Sequence, residues 1–418
     1  MIGEKQIPQV LSNLSKLVSL DLSSYYTELK VDRKTFRSLL QDLTNLEVLL
    51  LDNADAPFEL PKNLSSSLRY LSLERTGMFG NISEFQIFHL PNLQVLRLGQ
   101  NPLLTGTLPI FNRSSNGRSV LELDFFYTGI SGKVPDSIGN LHSLWYLNLQ
   151  NCHLSGSIPE SIGNLTAIRE LILSENDFTG NVPSTVSKLN KLVRLDLSSN
   201  SFRGSILEYI DNLTAITQLT IPDNSFTGNV PSTIGKLNKL NYLNLENNFL
   251  QGPLHLSFCD MYSLVFLILA RNNFSGSIPI PRFLSTGLQY LGLYGNQLGG
   301  QVPRSLVNCT SLEALDLGNN KINDTFPIWL QKLPNLQVLI LKSNLFHGPI
   351  GDLESEFPFP ELRIFDLSFN GFTGTLPSNF FKNFRANKAK EETPKTWFKN
   401  KLAIYQRLLE SWTSLLAS

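Results

Sequence analysis

The chain has 418 residues, more than one hydrophobic core usually organises, so two or three domains or a repeat array are expected. Lys and Arg number 35 against 35 Asp and Glu, and charged residues are only 17%, which leaves no basic face for nucleic acid or an anionic membrane. A hydrophobic content of 42% excludes wholesale disorder, three cysteines exclude a disulfide scaffold, and no stretch reaches the ~18 uncharged apolar residues of a membrane span.

From the start of the chain, MIGEKQIPQVLSNLSK carries no apolar run of the kind a secretory leader needs. A recurring pattern then takes over: LxxLxLxxN, followed in most copies by x-Φ-x-G-x-Φ-P, where Φ is apolar. Its Asn slot falls loosely at Tyr25, Ala54, Thr76 and Asn101. It then runs strictly through Thr128, Cys152, Asn176, Asn200, Asn224, Asn248, Asn272, Asn296, Asn320 and Asn344, always 24 residues apart, with one more copy at Asn370. A 24-residue period around an L-x-x-L-x-L-x-x-N/C core resembles the leucine-rich repeats. The fold expected is α/β: a leucine-rich-repeat solenoid, or horseshoe, of about fifteen repeats with a parallel sheet on its concave face. The array is read over 1–384, irregular before 120 and strict over 120–350.

One unit shows why. Along Arg169-Glu170-Leu171-Ile172-Leu173-Ser174 the side chains alternate, so Leu171 and Leu173 point into the coil while Glu170, Ile172 and Ser174 point out. Stacked about 4.8 Å apart, such strands pair in parallel into a curved sheet. The Asn that follows turns inward, where its amide can satisfy backbone groups that the turn would otherwise bury unpaired. The second half of a unit, such as Phe178-Thr179-Gly180-Asn181-Val182-Pro183, adds an apolar layer, with Gly180 permitting a tight bend and Pro183 ending any pairing. Ser184 to Leu192 has helix-like apolar spacing over too few residues for more than a turn or two.

At the ends, Gly3 to Pro8 reads as the back half of a unit without its strand or a polar cap, so the chain is expected to be an internal fragment of a longer array. The tail 385–418 leaves the register. Phe398, Leu402, Tyr405, Leu409, Trp412 and Leu416 mark an amphipathic helix over 394–416. Three readings of that tail stand: a cover for the last coil, sequence with no selected role, or a membrane or partner contact.

Asn272-Asn273-Phe274-Ser275-Gly276-Ser277-Ile278-Pro279 resembles the plant extracellular class of leucine-rich repeats. The run from Leu306 through Asn308-Cys309-Thr310, Asn320-Lys321-Ile322-Asn323-Asp324 and Phe326-Pro327-Ile328-Trp329-Leu330 is more specific. With Leu345-Phe346-His347-Gly348 and Phe381 to Ala386, it resembles the ectodomain of plant receptor-like proteins of the disease-resistance type. That resemblance implies recognition of pathogen-derived or peptide ligands at the outer face of the plasma membrane, with immune signalling through a leucine-rich-repeat receptor kinase as partner. The family's leader, N-terminal cysteine cap, non-repeat island, final repeats and membrane helix have no counterpart here, which puts signalling by this chain alone in doubt.

No catalytic constellation stands out. None of His89, His142, His153, His255 and His347 lies in a hydrolase or metalloprotease motif, and neither a cofactor nor a metal is expected. Cys152 precedes His153, but its slot points inward. Cys259 and Cys309 are 50 residues, hence two coils, apart, about 9–10 Å or more, beyond disulfide reach, so the cysteines are expected to be free and buried. Nine N-x-S/T sequons occur, at Asn13, Asn63, Asn81, Asn112, Asn164, Asn212, Asn273, Asn308 and Asn323. Asn164, Asn212 and Asn308 share one column away from the sheet, where glycans leave the inner face open; composition alone also produces sequons in so Asn- and Ser-rich a chain.

The candidate binding residues lie on the concave face. Its first outward column runs Tyr146, Glu170, Arg194, Gln218, Tyr242, Phe266, Tyr290, Ala314, Val338, and its second Asn148, Ile172, Asp196, Thr220, Asn244, Ile268, Gly292, Asp316, Ile340. Arg194, Asp196, Tyr242, Asn244, Glu246, Phe266, Arg271, Tyr290 and Tyr294 are the candidate ligand contacts, since rings beside charges are what protein interfaces favour. Alternatively, the rings simply pack flat on adjacent strands. On the first reading, replacing Tyr242, Phe266 and Tyr290 by Ala abolishes ligand binding without unfolding the array. The function expected is a non-enzymatic module for a protein or peptide ligand. A secreted inhibitor of cell-wall hydrolases, similar to plant polygalacturonase-inhibiting proteins, and a nonfunctional gene fragment are the alternatives.

Overall fold

A computed structural model describes residues 5–6, 14–24, 29–111, 120–279, 287–351 and 358–376. The expected tail helix over 394–416 lies outside them. The chain divides into two compact units, Met1–Leu264 and Val265–Ser418.

In the first unit, ten three-residue strands from Ser19–Asp21 to Tyr242–Asn244 form a parallel sheet in strict sequence order. Each strand advances by one coil, so Tyr146 pairs with Glu170, Glu170 with Arg194, Arg194 with Gln218 and Gln218 with Tyr242. The inward leucines Leu147, Leu171, Leu195, Leu219 and Leu243 are at most 1% exposed. The second unit repeats this with five strands, Phe266–Ile268 to Ile364–Asp366, in which Phe266 faces Tyr290, Tyr290 faces Ala314 and Ala314 faces Val338. Both outward columns read from sequence are therefore in register within each unit.

A second sheet had not been anticipated. The Φ-x-G segments form a parallel sheet of their own, among them Asp177–Asn181, Ser201–Gly204 and Ser225–Asn229 in the first unit. Its period-2 signal was legible, since Phe178, Phe202 and Phe226 are wholly buried between exposed neighbours. Their rings stack at 5.8 and 6.0 Å into a spine through consecutive coils. The helix-like stretches are single 3-10 turns such as Ser184–Lys188, entered from Pro183, in keeping with their length. The irregular early region holds a true α-helix, Arg33–Gln41, that the repeat reading passed over. Asp32 caps it, accepting from the Lys34 and Thr35 amides at 2.9 and 3.0 Å, and Phe36, Leu39 and Leu40 bury its inner face.

The Asn column is a hydrogen-bonded ladder. Asn224 donates through Nδ2 to the carbonyls of Leu197 at 2.9 Å, Ile221 at 3.4 Å and Pro222 at 3.0 Å, and accepts from the Phe202 amide at 3.0 Å. One amide therefore closes its own turn and ties it to the coil before. Cys152 keeps a reduced version, its thiol donating to the Phe125 carbonyl at 3.2 Å. Immediately before each ladder residue the backbone turns left-handed, at Glu175, Ser199, Asp223, Asn247, Arg271 and Ser343 among others, with φ between 53 and 57°. Among the described residues, only Gly295 meets that demand with glycine. This position carries no residue signature, which is why the sequence did not reveal it.

Candidate functional site

The sheet strands position every candidate contact, but not all of them face solvent. In the first unit Arg194 and Asp196 are half-buried on one strand, Tyr242 and Asn244 are buried on the strand two coils on, Tyr242 at 3% exposure, and Glu246 is half-buried two residues beyond that strand. Burial foremost pushes the Tyr242 phenol up and holds it un-ionised, with Asp196 and Glu246 adding to the shift. Burial likewise raises the Asp196 carboxyl, against hydrogen bonds from the Ser198 hydroxyl and amide and the charge of Arg194. In the second unit Phe266 is 6% exposed and meets Tyr290 edge-on at 6.3 Å. Tyr294, half-buried, has two cations over its ring, the Arg271 guanidinium and the Lys342 ammonium, each 6.0 Å from the ring centroid.

One expectation needs correcting. Tyr242 and Phe266 are packed between strands, so truncating them to Ala removes core as well as surface and does not leave folding untouched. Tyr290 is the half-buried member of that trio. Cys152 is 3% exposed while His153 is exposed, so the adjacent pair diverges, and burial pushes the thiol up. Cys309 is buried, as expected; the Cys259 side chain lies outside the described residues.

A further polar cluster on the inner face of the first unit begins where the repeat pattern was loosest. Arg97 donates to Glu122 through Nη2 at 2.6 Å and Nε at 3.1 Å, and its guanidinium lies 5.6 Å over the Tyr70 ring. Asp124 accepts from the Tyr146 hydroxyl at 3.0 Å, the Asn148 amide at 3.3 Å and the Phe126 amide at 3.0 Å. Even so, burial leaves its carboxyl raised. Asp52 accepts from the Ser72 hydroxyl at 2.6 Å and the Glu74 amide at 2.9 Å. Glu74, between these two acids, is pushed up to about 7, first by burial and then by Asp124 and Asp52, with Arg97 the opposing charge. Counting the outward columns back one coil at a time, Tyr146, Glu122, Val95 and Tyr70 in the first and Asn148, Asp124, Arg97 and Ser72 in the second, finds this cluster. The uneven spacing before residue 120 hid it.

The sequons fall outside this face. Asn63, Asn81, Asn164, Asn212, Asn273, Asn308 and Asn323 are all exposed; Asn13 and Asn112 lie outside the described residues. Asn164, Asn212 and Asn308 each end a 3-10 turn. Among the described residues no group of His, Cys, Asp and Glu could hold a metal ion, and no helix is long and apolar enough to cross a membrane.

Three family models match the chain: a leucine-rich repeat region over residues 119–248, and leucine-rich repeats over 286–346 and 361–383. Receptor-like protein 48 of Arabidopsis thaliana is 57% identical over 58 residues, 14% of this chain and 7% of that protein. A receptor-like protein Cf-9 homolog of Solanum lycopersicum is 36% identical over 138 residues, 33% of this chain and 16% of that protein. Among solved structures, the leucine-rich-repeat ectodomain of the Arabidopsis thaliana membrane receptor kinase GASSHO1/SCHENGEN3, in complex with CASPARIAN STRIP INTEGRITY FACTOR 2, superposes with a TM-score of 0.74 at 29% identity. That match covers 90% of this chain and 50% of the other. The matches thus span well under two thirds of each of these proteins.

Proposed function

We propose that this chain, a leucine-rich-repeat array of the plant receptor-like-protein type, is the ligand-recognition part of such a receptor and binds a protein or peptide on the inner sheet face. The observation that carries the reading is the in-register outward columns, which set polar groups and rings on a face that carries none of the described sequons. The complex of a similar ectodomain with its factor supports it. In the finer reading the ligand is pathogen-derived or a peptide signal. A leucine-rich-repeat receptor kinase relays the event at the outer face of the plasma membrane, and the exposed sequons carry glycans.

The test presents the secreted chain with a panel of extracellular plant and microbial peptides and proteins, by biolayer interferometry. The expected result is a saturable binder whose affinity falls about tenfold or more in Arg194→Ala or Tyr290→Ala chains of unchanged melting temperature. A panel with no saturable binder, or a binder indifferent to both substitutions, overturns the reading.

A further inference from the structure

The apolar interior of the second unit comes to the surface at one end. Among the described residues, Ile364–Asp366 is the last strand of the inner sheet, and Gly371–Thr373 is the last beside His347–Pro349. Four apolar columns change surroundings at that coil. Leu315 and Leu339 are wholly buried while Phe365, in the same column, is only half-buried; Leu317 and Leu341 are wholly buried and Leu367 half-buried. Phe372 stacks on the wholly buried Phe346 at 5.9 Å and is itself half-buried. Val302, Phe326 and Ile350 are at most 8% exposed, but Leu376 is 55% exposed. With Ile350, these four end residues line an open groove of about 440 Å³. A terminal coil has no neighbour against which to bury this side, which is the surface that a cap must cover.

The segment that follows carries a matching face. Leu376 is part of the groove wall and is also the last described residue before 377–418, so the chain leaves from the surface in question. Residues 377–393 can span up to about 55 Å, ample for the chain to turn back. Beyond them Phe398, Leu402, Tyr405, Leu409, Trp412 and Leu416 recur at steps of four and three, one apolar face in a helical register that sets Asn400, Ala403 and Ser414 opposite. A segment joined to the groove meets it at a local concentration on the order of millimolar, far above that of a second copy in dilute solution. We propose that 394–416 docks as an amphipathic helix on this groove, its apolar face against Phe365, Leu367, Phe372 and Leu376. The array then ends in the polar side of its own tail.

Two measurements on the full chain test this. In the first, the exposed Leu376 is replaced by the photocrosslinker p-benzoylphenylalanine, the dilute protein is irradiated, and the products are mapped by proteolysis and mass spectrometry. Crosslinks to 398–416 within one chain are expected. Crosslinks chiefly between two chains, or none to the tail, overturn the proposal. In the second, hydrogen exchange compares the wild type with Leu402→Asp/Leu409→Asp/Trp412→Asp, which charges the apolar face, and with Asn400→Asp/Ala403→Asp/Ser414→Asp, which adds as many charges opposite. The first variant is expected to lower protection of the Ile364–Asp366 and Gly371–Thr373 amides roughly tenfold or more, while the Ala314–Asp316 amides and the second variant keep wild-type protection. Equal protection in the wild type and the first variant, or equal loss in both variants, overturns the proposal.

Discussion

Glu74 shows how far one residue's chemistry can be set by its coil neighbours. Its folded pKa of about 7 lies above the ordinary carboxylate range, so the folded chain holds this proton more tightly than the unfolded one. Such a group is no burden at pH 4 and costs stability increasingly as pH rises toward 7; the raised Asp124 and Asp196 carboxyls act in the same sense. The melting temperature of the first unit is therefore expected to rise as pH falls from 8 to 5. Glu74→Gln should lift the value at pH 8 and flatten the profile in calorimetry; an unaltered profile would exclude the raised pKa. A second residue-scale expectation concerns the left-handed backbone before the ladder. Glu175 has φ 57°. Glu175→Gly should be neutral or stabilising, whereas Glu175→Val should cost about 1–2 kcal/mol in urea melts because a β-branched side chain disfavours that region. This position was invisible in the sequence because Glu, Ser, Asp, Asn and Arg all occupy it, whereas the ladder Asn one residue on was legible from its spacing alone.

At the scale of the element, the 3-10 turns of consecutive coils touch through backbone. A Cβ on Gly163 would stand 2.6 Å from both the Thr185 carbonyl oxygen and its Cβ. Gly163→Ala is therefore expected to push the turn Glu160–Asn164 off its neighbour and destabilise by about 1–3 kcal/mol, although alanine is otherwise the better helix former. A substitution with no effect on the denaturation midpoint would mean that the turns slide freely. The inner strands were readable from sequence because Leu alternates with exposed residues at a fixed period. The Φ-x-G strands were not recognised because Gly and Pro within them argue against a strand when each is read alone. The structure resolves this by giving the glycines positive φ, 78° at Gly180 and 92° at Gly228, while the Phe spine supplies the burial. The candidate site was legible as a column but not as an exposure pattern. Whether Tyr242 lies flat or stands open depends on the curvature that sets its neighbours' spacing, and no single unit encodes that.

At the scale of the whole molecule, ladder bonds reach 22 to 27 residues in sequence, one coil and no farther, as those of Asn176, Asn200 and Asn224 show. Stability in such an array is a sum of coil terms and nearest-neighbour terms, and a local defect loosens its own neighbourhood before the rest. Asn224→Ala tests this directly, because it removes three donations and leaves the Phe202 amide without its acceptor. The expected loss is about 2–4 kcal/mol in the protection of nearby amides. Hydrogen exchange should show that loss over the coils carrying Phe202, Asn224 and Phe226, while amides of the Tyr70 and Val95 strands in the same unit keep wild-type protection. Uniform loss across the first unit would mean that its coils unfold as one cooperative block.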